Sequence, residues 1–156
     1  MSVRSLLMAA AGASTAPAYR YWRIYMQTNN GDPTYTALCE IELRSSVGGA
    51  DLTTSSTPAA SSTSYSAAYD ASKTVDESTS TLWISAFNST TNQWLRYDLG
   101  SAQTVAQVAI YPQGDALSRA PKDFIIQGSN DGTNFTNVKS ITNATGWTAA
   151  WRTFNI

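Results

Sequence analysis

Short apolar stretches, each closed by a turn signal, recur along this chain without a sustained helical period, and they limit it to an all-β fold. Residues 19–27 alternate strictly, with Trp22, Ile24 and Met26 on one face and Tyr21, Arg23 and Tyr25 on the other. Residues 37–43 repeat the device, Ile41 and Leu43 opposing Glu40 and Glu42. Between them Asn29-Asn30-Gly31-Asp32-Pro33 is a turn cluster in which Gly31 supplies positive φ and Pro33 stops pairing. Further strands are expected at 94–99, 104–111, 124–128, 135–138 and 151–156. Residues 47–65, rich in Ser, Thr, Gly and Ala, predict a surface excursion with one short strand near 50–53, and 66–73 predicts a helical turn. Such a series of short strands predicts an antiparallel β-sandwich of the jelly-roll kind.

Composition narrows the function. The 156 residues suffice for one core. With 13% charged residues and a net charge of −1, nothing steers the chain toward nucleic acid or an anionic membrane surface. There is no His, the commonest general base and transition-metal ligand. Asp115 and Asp123 are paired only in sequence, and no nucleophile is accompanied by a base, so an enzyme is not expected. The single cysteine, Cys39, sits on a strand and reads as a small buried residue.

Residues 1–18 differ from the sandwich expected over 19–156. Arg4 precedes the run Ser5-Leu6-Leu7-Met8-Ala9-Ala10-Ala11, followed by small residues. The pattern fits a signal peptide, or an arm that is ordered only against a partner, with Leu6, Leu7 and Met8 as the anchoring side chains. The run is well short of the roughly 20 residues that cross a bilayer.

Four segments carry a resemblance. They are Ala37-Leu38-Cys39-Glu40-Ile41-Glu42-Leu43, Val75-Asp76-Glu77-Ser78-Thr79-Ser80-Thr81-Leu82-Trp83, Trp94-Leu95-Arg96-Tyr97-Asp98-Leu99-Gly100, and Ser129-Asn130-Asp131-Gly132. The chain resembles the discoidin domains (coagulation-factor type C, galactose-binding-like modules), with the family's closing segment placed first, as in a circular permutation. Animal members usually carry a disulfide bracket, and its absence points to a bacterial or phage relative. The family's structural Ca²⁺ site joins the Val-Asp loop to the closing Glu strand. Here the resemblance implies the carboxylates of Glu40 and Asp76, the Thr81 hydroxyl, and carbonyls at Cys39, Lys73 and Ser78, the hard-oxygen set Ca²⁺ takes. Glu77 stands where the family usually has Gly. The alternative is a metal-free turn braced by Asp76 and Thr81.

A sugar site calls for an aromatic face with amides and an arginine beside it. Phe87 and Asn88 in one polar loop, Arg119 in another and Trp147 in a third are the candidates, and Trp147 can equally cap the end of the sandwich. Trp22 by alternation, and Trp83 and Trp94 by family position, are expected in the core.

The arm and the permuted order also look like small virion proteins of tailed bacteriophages. That implies a multicopy protein of the phage particle surface, on tail or capsid. Its arm would hold it to other virion subunits while the module meets a host glycan. The alternatives are a decoration or cementing protein with a vestigial sugar site, and a secreted bacterial carbohydrate-binding module.

Overall fold

The computed structural model describes residues 16–156. The anchoring residues Leu6, Leu7 and Met8, and nearly all of the arm, lie outside the described residues. Nine strands follow in order: β1 (Ala18–Asn29), β2 (Ala37–Arg44), β3 (Ala59–Ser61), β4 (Trp83–Ile84), β5 (Gln93–Thr104), β6 (Gln107–Pro112), β7 (Pro121–Ser129), β8 (Thr136–Ile141) and β9 (Arg152–Asn155). They form a five-stranded sheet, β3-β5-β1-β7-β8, and a four-stranded sheet, β4-β2-β6-β9. The strands within each sheet pair antiparallel, as the sandwich expectation required.

Alternation sets the core. β1 sends Trp22, Ile24 and Met26 inward, β5 adds Leu95 and Tyr97, and β7 adds Phe124 and Ile126. The opposing sheet contributes Leu38, Ile41, Leu43, Val108 and Ile110. Leu38 and Ile41 are three apart yet both fully buried, which a plain strand cannot arrange. A register shift between Leu38 and Glu40 resolves this: the ladder with β6 passes from Leu38–Pro112 to Glu40–Tyr111 and leaves Cys39 out. The extra residue is a β-bulge, which re-aims the side chains around it.

Several expectations need correction. Strand 19–27 lies inside the sandwich, but it pairs with β5 and β7, not with the C-terminal strand, which pairs with β6 in the other sheet. Trp94 is not in the core. Gln93, Leu95 and Tyr97 face inward, so Trp94, Arg96 and Asp98 take the outer face of β5. Residues 50–53 form only an isolated Arg44–Asp51 bridge, because the Asp51 carboxylate accepts the Leu43 and Thr53 N–H groups and makes a turn there. The strand expected at 104–111 begins at Gln107, Thr104 belonging to β5. Short 3-10 turns at Ala67–Tyr69 and Ala71–Thr74 occupy the expected helical turn.

Candidate functional site

The connections β1–β2, β4–β5, β6–β7 and β8–β9 gather at one end of the sandwich, and three of them carry the sugar candidates. Asp32 organises the first. Its Oδ1 accepts the N–H groups of Thr34 and Tyr35, both at 2.8 Å, and its Oδ2 accepts Nε of Arg119 at 3.0 Å. Burial pushes this carboxyl upward, but the Tyr35 and Thr34 N–H groups and the Arg119 guanidinium outweigh it and hold it below its ordinary value. Arg119 also donates to Gln113 Oε1 at 3.2 Å and lies 4.9 Å from the Tyr35 ring centroid. Its fork is thereby fixed while only part of its donor capacity is used.

Tyr35 is the hub of an aromatic row. Phe87 stands 6.0 Å and Tyr65 5.8 Å from its ring, both edge-on, and Tyr69 follows Tyr65 at 6.0 Å. Phe87 and Tyr65 are 66% and 55% exposed, too much apolar area for a packing role. Asn88 follows at φ 60°, a left-handed conformation Asn tolerates, and it turns the Phe87 loop back toward β5. Phe87, Asn88 and Arg119 therefore fall at the same end. Trp147 is the exception. It is 6% exposed, its Nε1 donates to the carbonyls of Pro121 and Ala144, and its ring packs against Phe154. It caps the core, and only its edge reaches a shallow recess of about 260 Å³ with Asn30, Leu117, Ser118 and Gly146. Tyr35, Tyr65 and Asp32 were not singled out from sequence. The available signal was an aromatic placed two residues after a turn-forming Asp-Pro.

The residues of the implied cation site also converge. Thr81 Oγ1 lies 2.8 Å from both Asp76 carboxylate oxygens and 3.2 Å from the Ser78 carbonyl, and its single proton is donated to the carboxylate. The Ser78 N–H lies 3.3 Å from Glu40 Oε2 and 3.2 Å from Asp76 Oδ1, tying the two carboxylates to one peptide. Glu77 adopts φ 64°, the left-handed region that Gly would occupy without strain, at a cost of about 1 kcal/mol. That turn presents the consecutive N–H groups of Glu77 and Ser78 to Glu40.

Glu40 itself is 4% exposed. Burial pushes its carboxyl up to about 8, and the Asp76 charge adds to the rise against the pull of the Ser78 N–H. No ion pair to Glu40 or Asp76 occurs among the described residues. Beside Glu40 a recess of about 160 Å³ is lined by Glu42, Asp51, Glu77, Thr79 and the exposed Trp151. Two neighbouring carboxylates without a basic partner, a hydroxyl and a bulged Cys39 outside the ladder fit a hard cation. Among the described residues no three acidic, His or Cys side chains are arranged to hold a metal, so a cation here would need backbone carbonyls for much of its ligand shell. The Cys39 thiol, pushed up to about 11 by burial and by Asp115, Glu40 and Asp76, is no reactive thiolate.

A family model described as "NedA-like, galactose-binding domain" matches residues 73–156, rather more than half of the chain. No curated protein matches. No solved structure matches either.

Proposed function

The chain belongs to the family of NedA-like, galactose-binding domains, and from that premise we propose that it is a non-catalytic carbohydrate-binding module whose loop end meets the sugar. The observation that carries this is the row Phe87–Tyr35–Tyr65, exposed at Phe87 and Tyr65 and half-buried at Tyr35, beside the immobilised Arg119 guanidinium. Such rings stack on the C–H face of a galactose-type sugar, and the remaining Arg119 donors and the Asn88 amide reach its hydroxyls. Arg119 is held by Asp32 before any ligand arrives, so binding spends little entropy on ordering it.

The same reading gives the Glu40 site a structural Ca²⁺, held by Glu40, Asp76, Thr81 and carbonyls at Cys39, Lys73 and Ser78. The ion would neutralise two carboxylates and tie β2 to the loop at 73–81. The biological setting we propose is a phage particle surface, with the segment 1–18 fixing many copies to other virion subunits so that weak sugar contacts sum. That placement draws its support from the sequence of the arm.

Titration calorimetry of the whole chain with galactose-terminated oligosaccharides tests the sugar reading. Phe87→Ala and Arg119→Gln should each weaken binding about tenfold, the loss of about 1.4 kcal/mol of contact. Phe87→Ala should leave the melting temperature unchanged, because the ring is exposed. Undiminished binding by both variants, or no binding by the parent, would refute the site.

A further inference from the structure

The outer face of the five-stranded sheet carries a second constellation, separate from the loop end. Register places Arg23 of β1 directly opposite Arg96 of β5, and Gln127 of β7 opposite Arg23 on its other side. Arg23 Nε donates to Gln127 Oε1 at 2.8 Å, and Gln127 Nε2 donates to Asn137 Oδ1 on β8 at 2.7 Å. The result is a polar row of two guanidiniums and two amides crossing four adjacent strands. Aromatic side chains border it. Tyr25 and Trp94 face each other in the next outward row, Tyr21 lies in the row on the other side, and Phe135 stacks 3.8 Å from the Arg23 guanidinium carbon. Arg96 lies 5.8 Å from the Tyr21 ring and 5.9 Å from Trp94.

Like charges directly opposite each other across two strands are destabilising, and sheets ordinarily avoid them. No carboxylate relieves this pair among the described residues. Asp98, the nearest acid in the same outward column, is taken by Arg20 at 2.8 Å and by the Gly100 N–H. Asp131 is taken by its own turn, through Thr133, Asn134 and Ser129. Arg96 has only the Gly132 carbonyl, at 3.0 Å. Both arginines are half-buried, and desolvation together with the Arg96 charge makes Arg23 easier to deprotonate than usual. Two forks held side by side without a counter-charge match a planar carboxylate in charge and geometry.

We propose that the Arg23–Arg96 row is a second binding surface, for a carboxylated sugar within an acidic polysaccharide chain. The anion is argued from this face alone, whereas its being carried on a sugar rests on the carbohydrate reading above. A half-buried row crossing four strands suits a chain lying across it better than a small free anion. With a net charge of −1 the protein lacks the field that draws a polyphosphate, and two unpaired charges suit a sparsely charged polymer. The flanking rings add stacking surface for sugar C–H faces.

Affinity electrophoresis of the intact protein through gels containing polygalacturonate, its methyl ester or neutral galactan tests this. Retardation should be strong with polygalacturonate, should fall with added NaCl, and should be lost on methyl esterification. Arg23→Gln and Arg96→Gln should each weaken it about tenfold, while both leave retardation by neutral galactan intact. Arg96→Gln should melt no lower than the parent, because it removes a like-charge pair, so its binding loss would not reflect unfolding. Three outcomes would overturn the proposal: equal retardation by ester and acid, unchanged retardation in both variants, or polyglutamate competing as well as polygalacturonate. Galactan binding lost in Arg119→Gln but no response to polygalacturonate would leave the loop-end site standing and this one refuted.

Discussion

Replacing Glu40 by Gln, with and without Ca²⁺, separates a cation site from a metal-free braced turn. Glu40 is 4% exposed, its carboxyl is raised from 4.5 to about 8, and no ion pair to it occurs among the described residues. A group whose folded value is raised contributes stability that is complete below the unfolded value. It is lost as pH climbs through the folded one. In metal-free buffer the protein should therefore melt higher at pH 5 than at pH 8. The drift accumulated between pH 4.5 and pH 7 is on the order of 3 kcal/mol. Gln keeps the shape without the charge, so Glu40→Gln should flatten that drift and, without metal, melt no lower than the parent at pH 7.5. Calcium acts the other way on the parent. At a hundredfold excess over its dissociation constant it adds about 2.7 kcal/mol, or roughly 5–10 °C in a domain of this size. The variant should gain almost nothing. Differential scanning calorimetry in CaCl₂, MgCl₂ and EDTA at pH 5 and 7.5 reads all of these. If EDTA and CaCl₂ give the parent the same melting temperature at pH 7.5, the pocket is a metal-free turn braced by Asp76 and Thr81, and the cation reading fails.

Two other perturbations have definite outcomes. Asp98, held down by Arg20, Asp123, held down by the Asn143 N–H and Thr28, and Asp131, held down by Asn134, all sit below the ordinary 3.8, so their contribution is present above that value and lost as pH falls through their depressed values. The melting temperature should drop between pH 4 and 2, and Asp131→Asn should show a smaller drop. A chain opened at Gly48, with Ile156 joined to Pro17 by a short Gly-Ser linker and residues 1–16 removed, should fold to the same sandwich by circular dichroism and cooperative melting. An aggregated or non-cooperative product would count against the permuted reading.

Alternation made most of the fold legible. Tyr21, Arg23 and Tyr25 were separable from Trp22, Ile24 and Met26 by period alone, and β1 obeys that division. Where the period is locally broken, sequence reasoning lost the thread. The bulge at Cys39 turns Leu38 inward beside Ile41, which no regular pattern announces. Trp94 was assigned to the core by likeness although its own neighbours Gln93, Leu95 and Tyr97 place it outside. Strands as short as β3 and β4 carry too few residues to show a period at all. At the site, Arg119 and Phe87 were visible because a charged or aromatic residue in a polar loop is unusual. Tyr35 was not, because its role depends on Asp32 turning the chain and on Arg119 arriving from 87 residues away. The Arg23–Arg96 apposition is a matter of register between β1 and β5, and register is a tertiary property.

Chain order bears on where the module can be held. The family match begins at residue 73, yet the central strand of the larger sheet and an inner strand of the smaller one come from before it. Residues 73–156 alone would leave β5 and β7 with a strand-wide gap between them, so the folding unit has to include β1 and β2. Ala18 pairs with Thr104, and the Ile156 N–H donates to Ala106, which brings the two ends of the sandwich to positions two residues apart on one connection. Neighbouring termini are the geometric condition for permutation, and they support reading β1 and β2 as the family's closing pair moved to the front. The same connection lies at the far end of β1 from Asn29, Asp32 and Tyr35, separated by about 35 Å of extended strand. A tether through the N-terminus therefore leaves from one pole while Phe87 and Arg119 occupy the other. Attached that way, a particle-bound copy would present its sugar-facing loops outward, and the Arg23–Arg96 face, lying along the side, would remain open to a polysaccharide passing between neighbours.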